Sequence, residues 1–179
     1  MNTRTYSLDS TWPRLAAFGL LSTFALLIPA LGWPQPVTGS LVNALLLITV
    51  EMLGAWPAVA LGTVTPLGGL LHGVLPLPLA VMIPFIALGN ATLVGIYGIL
   101  RRRSRWLGLG IAALAKFALL YAFASFFAMR PFYVGLSVAP KVIMPAAIVH
   151  TMSWPQLVTA VAGGLLAFAI LRLGKGRIG

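Results

Sequence analysis

Apolar residues gather along the chain in six continuous runs: Arg14–Leu31, Gly39–Ala55, Pro57–His72, Pro78–Leu100, Leu107–Met129 and Trp154–Leu171. Within each run neighbouring positions are apolar together instead of alternating, which is the pattern of helices and not of barrel strands. The breaks between runs are Gly32-Trp33-Pro34-Gln35-Pro36, Trp56-Pro57, Leu75-Pro76-Leu77-Pro78 and Arg101-Arg102-Arg103-Ser104-Arg105. Proline stops a helix because it lacks an N–H, and glycine because its backbone is loose. Each run approaches the ~20 residues that cross a hydrocarbon layer. Lipid offers no hydrogen bonds, so a spanning backbone must satisfy itself, as a helix does. The pattern therefore predicts an all-α membrane protein: one integral domain over residues 1–179, built as a six transmembrane helix bundle.

A seventh apolar stretch, Phe132–Met152, would also reach across a membrane. Counting it as a span would bury Lys141 at mid-membrane and send Arg172, Lys175 and Arg177 to the opposite side from the arginine run. Residues 130–153 are instead read as an outer loop, broken by Pro131, Pro140 and Pro145. A loop of that length is usually a functional one.

Composition sharpens the class. Of 179 residues 60% are hydrophobic and 8% charged, against about 25% charged in soluble domains. Mean hydropathy is +1.01. Too little polar surface is present to cover a water-soluble globule, and disorder needs the opposite composition. Twelve Lys and Arg face two acids, Asp9 and Glu51, for a net charge of +10. In a chain this apolar the excess reads as an orientation signal, not a nucleic-acid footprint. With both termini inside, Arg4, Arg14, Arg101, Arg102, Arg103, Arg105, Arg172, Lys175 and Arg177 fall inside, and only Arg130 and Lys141 outside. That bias predicts cytoplasmic termini in a bacterial or archaeal cell membrane. The polar N-terminal stretch has no small-residue cleavage site, so the first run reads as a retained span. Cysteine is absent, which removes disulfides and thiol chemistry.

Catalytic signatures are missing. No HExxH, GxSxG or phosphate-loop pattern occurs, and two acids, one in the polar N-terminal tail, cannot form a paired-carboxylate site. The chain reads as a non-enzyme, with ATP hydrolysis left to other subunits. His72 and His150, beside Met129, Met144 and Met152, form too sparse a set for a metal, so no metal and no cofactor is assigned. Two charges lie within spans, Glu51 and Lys116, and an intramembrane charge is a functional candidate by default. Asn90 stands ten residues from Leu100 and Lys116 nine from Leu107. At ~1.5 Å per residue both lie about 14–15 Å deep in adjacent helices, so Lys116 is expected to face the interior and to bond Asn90, a ligand anion or Glu51. Small residues at four-residue spacing (Ala87-xxx-Ala91-xxx-Gly95, Ala118-xxx-Ala122, Ala160-xxx-Gly164) mark close helix contacts, either within the bundle or with another membrane subunit. The short Pro57–His72 run, with Gly62, Pro66, Gly68 and Gly69, is either a kinked helix or the lining of a site.

Four motifs carry a resemblance. Thr38-Gly39-Ser40-Leu41-Val42-Asn43-Ala44-Leu45 opens the second run. Thr65-Pro66-Leu67-Gly68-Gly69-Leu70-Leu71-His72-Gly73-Val74-Leu75-Pro76 crosses out of the third. Met82-Ile83-Pro84-Phe85-Ile86-Ala87-Leu88-Gly89-Asn90 begins the fourth, and Ser153-Trp154-Pro155-Gln156-Leu157-Val158-Thr159-Ala160 opens the sixth. From about Thr38 to its end the chain resembles the substrate-binding S component of energy-coupling factor (ECF) transporters. The resemblance implies a ligand pocket near the outer face, and docking through the first helices onto a membrane T subunit coupled to two cytoplasmic ATPases. Substrate, a small molecule such as a vitamin or cofactor precursor, would be released as the whole component topples in the membrane. The first run departs from the family's Ala-xxx-Ala docking motif: Ala16 and Ala17 are followed four positions on by Leu20 and Leu21, and the nearest small pair is Gly19-xxx-Thr23. Ligand-contact candidates are Asn43, His72, Asn90, Lys116, Tyr121, His150 and Gln156. The basic and aromatic outer half, which also holds Arg130, Tyr133 and Lys141, fits an anionic or aromatic small molecule. Two other classes remain open: a six-span scaffold of the rod-shape MreD type, which binds proteins, and a small membrane-embedded enzyme using His72 or His150.

Overall fold

The computed structural model describes residues 11–71, 73, 81–129, 132–133, 141–142 and 145–175. Among these the chain is helical almost throughout: α1 (Thr11–Ala30), α2 (Gln35–Met52), α3 (Ala55–Leu71), α4 (Ile83–Leu100), α5 (Arg105–Met129), the short α6 (Ala146–Thr151) and α7 (Trp154–Lys175). The six long helices fall on the six apolar runs, with ends shifted by a few residues. α2 begins at Gln35, earlier than Gly39, because Pro36 in its first turn needs no N–H partner there. It stops before Gly54, whose φ of +101° suits glycine and whose N–H returns to the carbonyls of Thr49 and Val50.

Four helical stretches are long and apolar enough to cross a membrane: Thr11–Ala30, Ile83–Leu100, Arg105–Met129 and the nearly continuous Ala146–Gly174. They account for four of the six expected spans, and α2 and α3 fall short by this measure. α3 is one residue short at 17. α2 has 18 residues, but Gln35, Asn43 and Glu51 pull its hydropathy below that of the four. α2 is an inner helix that buries nine residues on all sides, from Val42 to Glu51, whereas α3 keeps an exposed face at Trp56, Leu67 and Leu70. A helix wrapped by other helices has no need of a lipid-facing surface.

α2 lies at the centre, packed on α1, α3, α4 and α7, and the rest of the ring closes through α1–α3, α3–α4, α4–α5 and α5–α7. Consecutive long helices alternate in direction, so the arginine run between α4 and α5 marks one end of the bundle. At that arginine end Arg14 of α1 donates to the Leu53 carbonyl at 3.2 Å, and Trp106 packs edge-on against Phe168 of α7. The main core (Leu46, Leu47, Val50, Leu61, Leu93, Val94, Tyr97, Ala112, Ala167) fills the middle. A second cluster, Met82, Leu120, Ala124 and Met152 with Phe85, Phe123 and Phe127 around it, seals the far end between α4, α5 and α6. Within the segment expected as an outer loop, Phe132–Tyr133 pairs antiparallel with Lys141–Val142, in register Phe132 opposite Val142, and α6 follows.

Outward, α1 shows Leu20, Phe24 and Leu27, and α5 shows Leu114, Tyr121 and Phe126. α1 has a single buried residue, Ala25. The small-residue pairs divide. Ala160 is buried and Gly164 lies directly under Leu109, so that pair is internal packing, while Ala118 and Ala122 face outward.

Candidate ligand site

The far half of the bundle holds a cavity of about 280 Å³ bounded by α1, α2, α3, α4, α5 and α7 and by the turn before α7. Its walls are mostly apolar, with Pro29, Trp33, Val42, Pro66, Ile86 and Met152 among them. Its polar groups converge on one spot. Lys116 is buried, and its Nζ donates to Asn43 Oδ1 at 2.6 Å and to Asn90 Oδ1 at 2.8 Å. Asn90 Nδ2 donates in turn to the Gly62 carbonyl at 2.9 Å and to Thr65 Oγ1 at 3.1 Å, and Thr65 Oγ1 donates to the Gly62 carbonyl at 3.1 Å. An ammonium has only donors, so the two amide oxygens facing it fix how both asparagines are turned.

Two glycines make this convergence possible. A Cβ on Gly62 would stand 2.9 Å from Asn90 Cβ, and one on Gly163 would stand 2.6 Å from both Asn43 Cβ and the Ser40 carbonyl. Without side chains there, α3 closes on α4 and α7 closes on α2, and the asparagines are carried inward. Gly62 is therefore a contact point on a regular helix, although Pro66 lies within α3 as well.

Of the residues singled out in the sequence, Asn43, Asn90, Lys116 and Gln156 line this one cavity. Gln156 donates to the Thr151 carbonyl at 3.1 Å and touches Met152 Sδ, which ties the start of α7 to the end of α6. Tyr121 and His150 lie elsewhere. They line a shallow surface groove with Ala128, Ala146, Val149 and Ser153, and His150 Nε2 accepts from Trp154 Nε1 at 3.0 Å. His72, Arg130 and Met144 fall outside the described residues, as do the side chains of Tyr133 and Lys141. Among the described residues no three potential metal ligands come together.

The structure adds Trp33, Gln35, Thr38 and Thr65 to the lining. The signal for Thr65 was its place in the Gly- and Pro-interrupted Pro57–His72 run, one reading of which was the lining of a site. Trp33 and Gln35 sit in a Pro-rich break that reads only as a helix stop.

Glu51 does not meet Lys116. It is buried at the arginine end, where it accepts from the Tyr97 hydroxyl at 2.7 Å and from Arg105 at 2.9 Å and forms an ion pair with Arg101 at 3.0 Å. The third contact proposed for Lys116 is thereby excluded: the acid is fully engaged by two guanidinium groups at its own depth.

No protein-family model, no curated protein and no solved structure matches the chain.

Proposed function

We propose that this chain is the substrate-capture subunit of an ATP-driven importer of the ECF type, taking a small molecule into the cavity floored by Asn43, Asn90 and Lys116. The observation that carries the reading is that cavity: an apolar chamber in one half of a helical bundle, with a few convergent polar groups at its base. This is the usual build of a small-molecule site. The four motifs that resemble S components supply the walls, since Asn43, Thr65, Asn90 and Gln156 each come from a different one.

In this reading all six long helices lie within the membrane. α2 is enclosed by its neighbours, α3 turns Trp56, Leu67 and Leu70 outward, and the arginine end, with both termini, faces the cytoplasm. A T subunit docks on the exposed side of α1, and two cytoplasmic ATPases act through it. The cavity mouth then opens outward, where substrate arrives.

Two measurements test this. Mass spectrometry of the protein released from its own membrane should show a tightly held small molecule, and a chain that carries none and binds none from a metabolite extract would overturn the capture role. For orientation, single cysteines at Ser104 and Gly176 should resist an impermeant thiol reagent in intact cells, while one at Ser137 should react. Labelling at Gly176 would overturn the six-span arrangement.

A further inference from the structure

Among the described residues Lys116 is a buried cation without a counter-ion. Its two partners are neutral amide oxygens, and Glu51, the only acid among the described residues, is held by Arg101 and Arg105 at the other end of the bundle. A buried charge without an opposite charge is costly, and in structures such charges are paired. An ammonium also has three N–H donors, of which two are spent on Asn43 and Asn90.

Beside it lies a second unspent donor. Asn43 is 1% exposed, lines the cavity, and its Nδ2 donates to nothing among the described residues. A buried polar atom without a partner calls for an explanation, a missing ligand or water among them. Nδ2 shares one amide with the oxygen that Lys116 already holds. The two unspent donors therefore belong to neighbouring groups, and Nδ2, buried behind the wall that Asn43 forms, comes into reach as a ligand parts the floor.

Resting on the capture reading above, we propose that the substrate is a compact monocarboxylate whose two oxygens are taken by Lys116 Nζ and Asn43 Nδ2. Its apolar body fills the chamber between Pro29, Trp33, Pro66 and Ile86. Two donors and one positive charge match two oxygens and one negative charge. A phosphate monoester, with three oxygens and close to two charges, would leave acceptors and charge unmet. The chamber, at about 280 Å³, sits at the small end of ligand sites, which run roughly 300–1,000 Å³.

The experiment uses the full chain in nanodiscs and a panel of matched probes, benzoate against benzamide and indole-3-acetate against indole-3-acetamide, with phenyl phosphate and benzylamine alongside. The carboxylates should bind and the amides should bind more weakly by about 10- to 100-fold, the worth of one charge-assisted hydrogen bond. Asn43→Asp places a carboxylate against Lys116 within the protein itself. It should abolish carboxylate binding and raise the melting temperature of the empty protein. Lys116→Met should abolish the preference for acid over amide, and Asn43→Asp keeps the test decisive if Lys116→Met fails to fold.

Binding of the amides, the phosphate or the amine in preference to the carboxylates would overturn the carboxylate assignment and leave capture in place. So would unchanged carboxylate binding by Asn43→Asp. If the carboxylates do not bind and only water occupies the chamber, the assignment falls. If the protein from its own membrane also carries no small molecule, the capture reading falls with it.

Discussion

Replacing Arg101 and Arg105 together by methionine should lower the unfolding free energy by about 3–5 kcal/mol, the usual cost of stranding a buried ion. Glu51 is 2% exposed, and its carboxylate takes hydrogen bonds from the Tyr97 hydroxyl and Arg105 and an ion pair from Arg101. Once both are gone, the Tyr97 hydroxyl is its only donor among the described residues, and the charge has little access to water. Methionine preserves much of the apolar stem, so the loss reports the charge and not the packing. Adding Glu51→Leu to the double variant should recover most of the stability, because an apolar replacement of a whole buried ion group is often neutral. A residue of about 1 kcal/mol should remain for the Tyr97 hydroxyl, then without its acceptor. Equilibrium unfolding in mixed micelles measures all three proteins. A double variant as stable as the parent would show that the cluster contributes nothing.

This cluster also shows where sequence reading stops. The spacing of Arg101 and Arg105 was visible, and so was their place at a helix hairpin, but the excess of basic residues at one end already had an explanation in membrane orientation. That two of those arginines also neutralise a buried acid on α2 depends on the helix order around the centre. The order is set by glycine contacts and side-chain fit, and hydropathy does not encode it. The same gap accounts for the number of spanning helices. Runs of apolar residues located all six long helices, but hydropathy could not say which would face lipid. α2 can carry Asn43 and Glu51 in its interior-facing stretch because the helices around it supply their partners.

The polar floor was legible in part for a physical reason. Asn90 and Lys116 sit at equal depth on consecutive helices joined by a short turn, so helix rise alone brings them level. Asn43 joins them from a helix 73 positions away in the chain, a contact that no local spacing encodes. Tyr121 was grouped with them by depth and chemistry, but it projects from the exposed face of α5. Five residues at about 100° each carry Tyr121 about 140° around α5 from Lys116, and hydropathy is nearly uniform around α5.

The two asparagines should differ sharply when each is cut to alanine. The substitutions remove the same atoms from equally buried positions, so the void left behind is similar and the contrast isolates hydrogen bonds. Asn90 makes three: it accepts from Lys116 and donates to Gly62 and Thr65. Its loss leaves part of an ammonium unmet in the bundle interior, and the Gly62 carbonyl and Thr65 hydroxyl keep only the bond between them. Asn43 makes one, to Lys116, and has an unspent amide hydrogen that is itself a cost in the empty protein. Net bonds are worth about 0.5–1.5 kcal/mol, or about 1.5–3 to a charge. Asn90→Ala should therefore lose about 3–5 kcal/mol and Asn43→Ala about 1–2 kcal/mol. Thermal or denaturant unfolding of the ligand-free variants reads the difference directly. Equal losses, or a larger one at Asn43, would mean that Asn43 is held for the fold as firmly as Asn90, and its free amide could no longer be counted as a group kept open for a ligand.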